Sequence, residues 1–231
     1  MSSAQLTAVL VHGAWTDSSI WSKVILLLAQ VGMRSVAPVL PLTSLADDVA
    51  ALERTLARLE GEVIVVAHCY GGTVVSQLSD KVFRAVIYIA ALTPQPSECA
   101  ADLLRRDSPS SGSMKLRPDA SGWVWLPEEF SRLSLAQHST LGERRVLAAG
   151  SRPISIACLN ARVQKVAVMR SPAWFMIAGD DRILSKRSQM FFAERLCINK
   201  QVAQVDHVPS LSAPEVVLRI ILEATYRTRS I

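Results

Sequence analysis

The chain places a cysteine at the tip of a tight turn between a predicted strand and a predicted helix. The turn is Ala67-His68-Cys69-Tyr70-Gly71-Gly72, and it directly follows the apolar run 63–66. This order of small, nucleophilic and glycine residues is typical of a nucleophile elbow, which exposes an attacking side chain above a sheet. The N-terminus of the next helix and a nearby histidine would both favour negative charge, so we expect a reactive thiolate. The competing interpretation is a small buried residue that merely fills the turn.

A thiolate nucleophile needs a base, and His207 is the predicted one. It follows the last predicted strand and precedes the final helix, which places it at the same edge of the sheet as Cys69. His12 and His68 belong to motifs at the ends of strands, and His138 lies in a central segment. The alternative for His207 is a histidine in a surface loop.

The base in turn needs a carboxylate that fixes its tautomer and stabilises its charged form. Asp180 and Asp181 follow the apolar run 173–178. We predict that Asp181 accepts a hydrogen bond from His207, while Asp180 shapes the turn. Asp206 is a poorer candidate because adjacent residues rarely direct their side chains at each other.

Two backbone N–H groups must face the negative charge that develops on the attacked oxygen. One belongs to Tyr70, the residue after the nucleophile. The other is expected in the loop after the first strand, His12-Gly13-Ala14-Trp15, where Gly13 permits close approach of the backbone and Ala14 supplies the N–H. The predicted site therefore assembles from four separate loops.

The elements that must position these loops alternate along the chain. The apolar runs are nearly continuous, which is typical of strands in a parallel sheet covered on both faces. The predicted strands are 7–11, 35–39, 63–67, 85–90, 173–178 and 201–205. The predicted helices are 20–31, 45–59, 72–81, 186–196 and 214–226, the second of them capped by Ser44, with Asp47 completing a capping box. We therefore predict an α/β fold with a doubly wound, mostly parallel sheet.

This alternation stops between about residue 93 and residue 171. A stretch rich in Ser, Pro and Gly (107–122) precedes a short strand at 123–126 and two helical segments at 128–138 and 142–162. An insertion at this point of an α/β sheet is expected to cover the carboxyl ends of the strands, so we interpret it as a lid within one domain of residues 1–231. The aromatic residues expected to line the substrate pocket are Trp15, Trp123, Trp125 and Phe130.

Composition limits the environment and the partners of the protein. With 231 residues, half of them hydrophobic, the chain can form one substantial core, and we expect neither a signal peptide nor a membrane span. The four cysteines are far apart and lack metal-ligand spacing, so we expect a reduced cytoplasmic protein without a structural metal or cofactor. The net charge of +5 arises entirely within residues 101–170. It suggests an anionic small-molecule substrate, or simply a solvated helical face, rather than nucleic acid.

Taken together, the motifs resemble the α/β-hydrolase superfamily, in the branch of small esterases related to plant methyl-ester hydrolases, hydroxynitrile lyases and their bacterial relatives. The resemblance covers about residues 6–226 and is weakest between residues 93 and 171. It rests on segments 9–15 and 41–48, the elbow, 179–183 with 192–195, and 206–209. It implies a nucleophile at Cys69, an acid at Asp181, a base at His207, and oxyanion donors at Ala14 and Tyr70.

The sequence departs from these relatives at two places. Relatives mostly carry Gly and Ser where this chain has Ala67 and Cys69, although dienelactone hydrolases are similar in having a cysteine triad. A thiolate attacks well but is readily expelled from its tetrahedral adduct, so this triad favours activated acyl groups such as thioesters, enol lactones and aryl esters. Val11 and Val208 stand in neighbourhoods where the hydroxynitrile lyases place threonine and lysine, so cyanohydrin cleavage is not expected.

Three functions are compatible with these motifs. The first is hydrolysis or transfer of an activated acyl group by a Cys-His-Asp triad, through a thioacyl-enzyme. The second is a lyase, cyclase or isomerase in which His207 is the general base and Cys69 only fills the turn. The third is a non-catalytic protein that binds a small ligand. The pairing of Asp181 with His207 and the oxyanion loop argue against the third function, because binding needs neither.

Overall fold

The computed structural model describes most of the chain as strands alternating with helices. The described residues are 6–78, 82–106, 117–127, 134–164, 166, 170–196 and 198–228. The strands among them are β1 (Thr7–Val11), β2 (Arg34–Val36), β3 (Val63–His68), β4 (Ala85–Ile89), β5 (Trp123–Val124), β6 (Ile154–Ser155), β7 (Ala173–Ala178) and β8 (Asn199–Ala203). Six of these strands form a parallel sheet in the order β2-β1-β3-β4-β7-β8, and β5 and β6 form a separate antiparallel pair. The predicted α/β fold around a mostly parallel sheet is confirmed.

The inner strands lie at the centre of the sheet because they carry apolar residues on both faces. β1 and β4 are buried at every position, and β3 and β7 at every position but the first. Because alternate side chains point to opposite faces, such strands require cover on both sides of the sheet. The edge strands are predicted less well: β2 ends at Val36 rather than at residue 39, and β8 lies two residues before the predicted 201–205. An edge strand pairs with one neighbour only, so apolar residues do not define its ends.

The helices cover both faces of the sheet. They are α1 (Ser22–Gln30), α2 (Leu45–Leu56), α3 (Gly71–Ser76), α4 (Ala100–Arg106), α5 (Leu141–Ala149), α6 (Ile156–Asn160), α7 (Lys186–Arg195), α8 (Pro209–Ser212) and α9 (Pro214–Arg227), with a 3₁₀ turn at Ser18–Trp21 before the first. Crossovers between parallel strands are right-handed, which puts α1 on one face and α2, α3 and α7 on the other. α9 packs against α1 and so belongs to the first face.

Three predicted helices need correction or fall outside the described residues. The predicted helix 72–81 ends at Ser76, and residues 79–81 are not described. The predicted helix 142–162 is wrong, because α5 ends at Ala149 and the chain continues through β6 into the separate helix α6. Gly150 and Pro153 explain the break, since glycine readily ends a helix and proline cannot continue one. The predicted helix 128–138 lies mostly outside the described residues, which omit 128–133.

The N-terminus of α2 is capped by Ser44 as predicted, although not by a reciprocal box. The hydroxyl oxygen of Ser44 accepts from the N–H of Asp47 at 3.1 Å, but the Asp47 carboxylate accepts from the hydroxyls of Thr43 and Ser44. A complete capping box occurs at α5 instead, where Thr140 and Glu143 each accept from the other's backbone N–H. The spacing Thr-x-x-Glu there is the usual sequence signal of such a box.

The inserted segment, residues 93–171 between β4 and β7, contains short elements in its described parts. These elements are α4, β5, α5, β6 and α6, and none exceeds nine residues. β5 occupies the start of the predicted strand 123–126, and Val124 and Leu126 are both buried. In the described part of the protein, no helix has the length and apolar character needed to cross a membrane.

Candidate active site

Cys69 stands directly after β3 in a backbone conformation that few side chains adopt. Its φ is +49°, in the left-handed region, and the residue is 1% exposed. Hydrogen bonds on both sides hold this conformation: the N–H of Cys69 donates to the carbonyl of Ile89 at 3.2 Å. The carbonyl of Cys69 accepts from the N–H groups of Leu92 at 2.9 Å and Gly72 at 3.1 Å. Such a strained turn, held by its surroundings, is the geometry of a nucleophile elbow.

Close packing explains the small residues around Cys69. A Cβ atom on Gly71 would lie 2.8 Å from the carbonyl oxygen of His12, and one on Gly13 would lie 2.6 Å from the Cβ of Cys69. The loop after β1 therefore contacts the elbow after β3, its neighbour in the sheet. The chain leaves β1 towards β2 on one side and returns to β3 on the other. The site thus lies at the point where the strand order reverses, where α/β sheets commonly bind ligands.

Asp181 and His207 meet at the same edge of the sheet. The Nδ1 atom of His207 lies 2.7 Å from Oδ2 of Asp181, and the two side chains are 1% and 0% exposed. The other carboxylate oxygen of Asp181 accepts from the backbone N–H groups of Ile183 at 2.7 Å and Leu184 at 2.9 Å. A carboxylate satisfied in this way can hold the imidazole with its proton on Nδ1.

The electrostatics of the site favour a charged His207. Burial lowers the pKa of His207, but the negative charges of Asp181 and Cys69, together with hydrogen bonds to both side chains, outweigh burial and raise the pKa to about 10. Because Nδ1 faces Asp181, Nε2 is the ring nitrogen that remains for the thiol. A positive charge beside a thiol favours its ionised, reactive form.

Gln189 of α7 is a buried residue that the sequence analysis missed. Its amide nitrogen donates to Oδ2 of Asp181 at 3.0 Å and to the carbonyl of Leu184 at 2.8 Å. Its amide oxygen accepts from the N–H of Ala178 at 2.9 Å. These bonds connect the end of β7, the turn that carries the acid, and α7. No local sequence signal marks this role, because a glutamine within a helix is ordinary.

His12 and His68 are buried histidines with structural hydrogen bonds. In His12, Nε2 accepts from the N–H of Leu40 and Nδ1 donates to the carbonyl of Gly13, both at 2.9 Å. Burial lowers the pKa of His12 to about 4. His68 Nε2 lies 2.7 Å from the carbonyl oxygen of His207, and burial holds the pKa of His68 well below its ordinary value. Both rings are therefore neutral at physiological pH.

The proposed oxyanion donors belong to the two loops that meet at Cys69. Ala14 is 3% exposed and directly follows the glycine that packs against Cys69, and Tyr70 is fully buried. The hydroxyl of Tyr70 donates to Oδ2 of Asp48 at 2.9 Å, and Asp48 in turn accepts from the N–H of Leu42 at 2.7 Å. Asp48 of α2 is 0% exposed, so the residue after Cys69 is held by a buried carboxylate that the sequence did not connect with the site.

Asp180 and Asp206, the two aspartates that precede Asp181 and His207, contact the inserted segment. Asp206 is fully buried, and its Oδ2 atom accepts from the N–H of His138 at 2.8 Å. The carbonyl of Asp180 accepts from the amide nitrogen of Gln137 at 2.6 Å. Neither carboxylate occupies the position that Asp181 has beside the base. Both residues instead connect the catalytic loops to residues 137–138.

The aromatic residues predicted to line a pocket occupy different environments. Trp15 is 1% exposed, has a φ of +60°, and donates its indole N–H to the main chain of β5 at 3.1 Å. Trp123 is half-buried. Trp125 is 55% exposed and donates its indole N–H to Asp119 at 3.0 Å, so its position does not support a role in a buried pocket. Phe130 lies outside the described residues.

Two further cysteines lie within the described residues. Cys99 and Cys158 are buried, unbridged thiols. Burial raises the pKa of Cys99, and it raises the pKa of Cys158 to about 12, so both stay protonated at neutral pH. Within the described ranges, no group of three or more His, Cys, Asp and Glu side chains is arranged to hold a metal ion.

The family of the protein follows from the arrangement of sheet and loops. A model of the alpha/beta hydrolase family matches residues 8–220, which include all four loops of the candidate site. The chain therefore belongs to the alpha/beta hydrolase family. No curated protein matches it.

Solved structures share the fold over almost the whole chain. Polyneuridine aldehyde esterase is similar with a TM-score of 0.83 and 18% identity, over 96% of this chain and 99% of that one. A methylesterase from Arabidopsis is similar with a TM-score of 0.77 and 21% identity, over 96% and 99%. A variant of tomato methylketone synthase I complexed with β-ketoheptanoate is similar with a TM-score of 0.81 and 16% identity, over 97% and 99%.

Proposed function

We propose that the protein cleaves or transfers an activated acyl group, carried as a thioester, lactone or ester, with Cys69, His207 and Asp181 as its catalytic triad. The observation that carries this proposal is the buried chain of contacts from the thiol of Cys69 to His207, and from Nδ1 of His207 to Asp181 at 2.7 Å. Two of the structural neighbours are esterases by name, which supports ester-type chemistry.

In the first half-reaction the thiolate of Cys69 attacks the carbonyl carbon of the substrate. The carbonyl electrons move to the oxygen, whose negative charge is bound by the N–H groups of Ala14 and Tyr70. The oxyanion then collapses, the bond to the leaving group breaks, and Nε2 of His207 donates its proton to the departing atom. This leaves a thioester on Cys69, a free alcohol or thiol, and a neutral His207.

In the second half-reaction water replaces the leaving group. Nε2 of His207 takes a proton from the water as the water oxygen attacks the thioester carbon. Collapse of the second oxyanion expels the thiolate of Cys69, releases a carboxylic acid, and restores the imidazolium. Asp181 remains ionised throughout and stabilises the charged ring. An alcohol or amine in place of water would make the same steps an acyl transfer.

The nucleophile favours substrates with a good leaving group. Because a thiolate is readily expelled from a tetrahedral adduct, the adduct goes forward only when the substrate's own leaving group departs at least as easily. Thioesters, enol lactones and aryl esters meet this condition. The excess of positive charge in residues 101–170 further favours a substrate that carries a carboxylate or a phosphate.

The test is the mass of the intact protein after brief mixing with an aryl ester and, separately, with an acyl thioester. Cys69→Ala removes the nucleophile, and Cys99→Ala is the matched control at a second buried thiol. We expect an acyl adduct and turnover in the parent and in Cys99→Ala, and neither in Cys69→Ala. Equal turnover by the parent and Cys69→Ala, without any adduct, would contradict the proposal.

A second candidate is a lyase, cyclase or isomerase in which His207 acts as a general base without a covalent intermediate. The neighbour complexed with β-ketoheptanoate, which has neither an ester nor a thioester bond, favours this candidate. The raised pKa of His207 weighs against it, because a base must be deprotonated before it can accept a proton. The same Cys69→Ala variant separates the two, since it would keep most of a non-covalent activity. If the protein only binds a ligand, both the parent and Cys69→Ala would bind it and neither would turn it over.

A further inference from the structure

His68 is a buried histidine at the end of β3 that the proposed reaction does not use. It is 1% exposed, and its Nε2 atom lies 2.7 Å from the main-chain carbonyl oxygen of His207. The ring centroids of these two histidines are 4.8 Å apart. On its other side, Nδ1 of His68 would lie 3.0 Å from a Cβ atom on Gly13. One side chain therefore contacts the base loop and the oxyanion loop, and its backbone leads directly into Cys69.

The hydrogen bond to His207 defines the tautomer of His68. A carbonyl oxygen can only accept, so Nε2 carries the proton and Nδ1 carries the lone pair. Among the described residues, Nδ1 has no hydrogen-bond partner. Burial, and after it the charge of His207, hold the pKa of His68 well below its ordinary value. His68 is therefore a neutral donor beside a charged ring.

We propose that His68 is a positioning residue for the catalytic base, and that its bond to the main chain of His207 holds the imidazole at the distance from Cys69 that proton transfer requires. The inference rests on the proposed function, because it takes His207 as the base and Cys69 as the nucleophile. Its physical basis is that His68 and Cys69 are consecutive residues, so a bond from one to the base loop also sets the distance to the other.

Other contacts of the base loop do not make this connection. Asp181 holds the ring of His207 from the end of β7, at 2.7 Å. Asp206 accepts from the N–H of Val208 at 3.2 Å, which shapes the base loop from within. Neither contact reaches β3, where the nucleophile begins. Only the bond from His68, among these three, joins the loop of the base to the strand of the nucleophile.

The chemistry of the position explains why the donor is a histidine. A lysine or arginine would bring a second positive charge close to the imidazolium in a buried space, where like charges repel strongly. A serine or asparagine would be too short to reach the carbonyl of His207. Glutamine keeps a neutral N–H donor at a similar distance from the backbone, so it is the replacement that should preserve the function of His68.

The test compares His68→Leu, which removes the donor, with His68→Gln, which keeps one. His138→Gln, at a partly exposed histidine of the inserted segment, is the matched control. In His68→Leu we expect kcat for the aryl ester to fall between about tenfold and about a hundredfold with KM nearly unchanged, because misplacing the base slows proton transfer more than binding. The rate at which iodoacetamide alkylates Cys69 depends on the charge of His207. In His68→Leu, the high-pH part of this rate profile should therefore move to lower pH by about one unit. His68→Gln and His138→Gln should stay close to the parent.

The results that overturn the inference are equally specific. A folded His68→Leu with the kcat and pH profile of the parent would show that the hydrogen bond does not position His207. A rise in KM at unchanged kcat would assign His68 to substrate binding instead. Where His68→Leu does not fold, His68→Asn takes its place, because it is polar but too short to reach the carbonyl.

A measurement without substrate separates this inference from the proposed function. The proton on Nδ1 of His207, shared with Asp181, should give a low-field NMR signal in the parent and in His68→Gln. The signal should shift or broaden in His68→Leu, and an unchanged signal would refute the positioning role. Activity that persists in Cys69→Ala would refute the proposed function instead, and the NMR comparison would still decide whether His68 places the base.

Discussion

The sheet with its catalytic loops and the inserted segment are stabilised in different ways. The inner strands are buried on both faces, and each loop of the site begins where one of the six strands ends. The described elements of the inserted segment are short, and several of its large apolar side chains are more than half exposed, among them Trp125, Leu141 and Val146. Hydrogen bonds of Trp15, Asp206 and Gln137, together with the contact between His138 and Asp180, connect it to the loops of the candidate site.

This difference suits the proposed reaction. Bond breaking requires the reacting groups to be held within fractions of an ångström, which a buried sheet edge with multiple hydrogen bonds can supply. Admission of substrate requires contacts that separate at small cost in free energy. We propose that the inserted segment is the lid, because it is joined to the acid and base loops by a few separable bonds.

The largest effect on activity is expected at Asp181, the proposed acid of the triad. Asp181→Asn keeps the shape of the side chain but cannot stabilise a charged His207, so we expect kcat/KM to fall by about 10³ to 10⁴. Asp180→Asn is the matched control, since the Asp180 carboxylate lies 3.7 Å from Nε2 of His138 in the inserted segment and not beside His207. Steady-state kinetics on both variants test the assignment. An equal fall of kcat/KM in the two variants would show that Asp181 is not the carboxylate that stabilises a charged His207.

A second comparison concerns the free energy of unfolding. Ile87 of β4 is 0% exposed at the centre of the sheet, and Leu147 of α5 is 8% exposed in the inserted segment. Ile87→Ala should cost about 2–5 kcal/mol, through lost burial and an unfilled cavity. Leu147→Ala should cost less, because its surroundings can move to fill the space. Chemical denaturation measures both, and a larger cost at Leu147 would show that the inserted segment is as firmly packed as the sheet.

The buried histidines of the catalytic region should make stability depend on pH in two directions. His12 binds a proton near pH 6.5 when unfolded but only at about pH 4 when folded, so the free energy of unfolding should fall between these values as the pH falls. The pKa of His207 is raised to about 10, so its stabilising contribution is complete below pH 6.5 and is lost as the pH rises through about 10. Urea denaturation measures the free energy of unfolding at each pH. In His207→Gln this free energy should still fall at acid pH but should no longer fall at alkaline pH. An alkaline decline that survives in the variant would assign it to another group.

The smallest effect is expected at the capping box of the inserted segment. Thr140→Ala removes the acceptor of the Glu143 N–H and should lower the free energy of unfolding by about 1 kcal/mol. Thr140→Ser keeps the acceptor and should remain close to the parent. Activity should change little in either, because neither side chain contacts the catalytic loops. A large loss of activity in Thr140→Ala would show that α5 is coupled to the site more tightly than its contacts suggest.

The bounds of secondary-structure elements could be predicted more accurately in the sheet than in the inserted segment. The bounds of β1 and β7 agree with the prediction, because a strand buried on both faces is one apolar run between polar residues. The predicted helix 142–162 is wrong, because Gly150 and Pro153 interrupt the apolar periodicity on which that prediction depended. Short elements with exposed faces leave weak periodic signals, so local pattern predicts the sheet better than the inserted segment.

The order of the apolar runs and the residue types that follow them were enough to place Cys69, Asp181 and His207 at one edge of a parallel sheet. These features depend on local polarity and turn geometry, which the sequence shows directly. The contacts that hold the catalytic side chains could not be inferred in the same way. His68 and His207 are 139 positions apart, and Gln189 reaches Asp181 from a separate helix. Such pairs meet only when the sheet has assembled, because each joins residues from separate elements, and the buried surroundings then strengthen the hydrogen bonds between them.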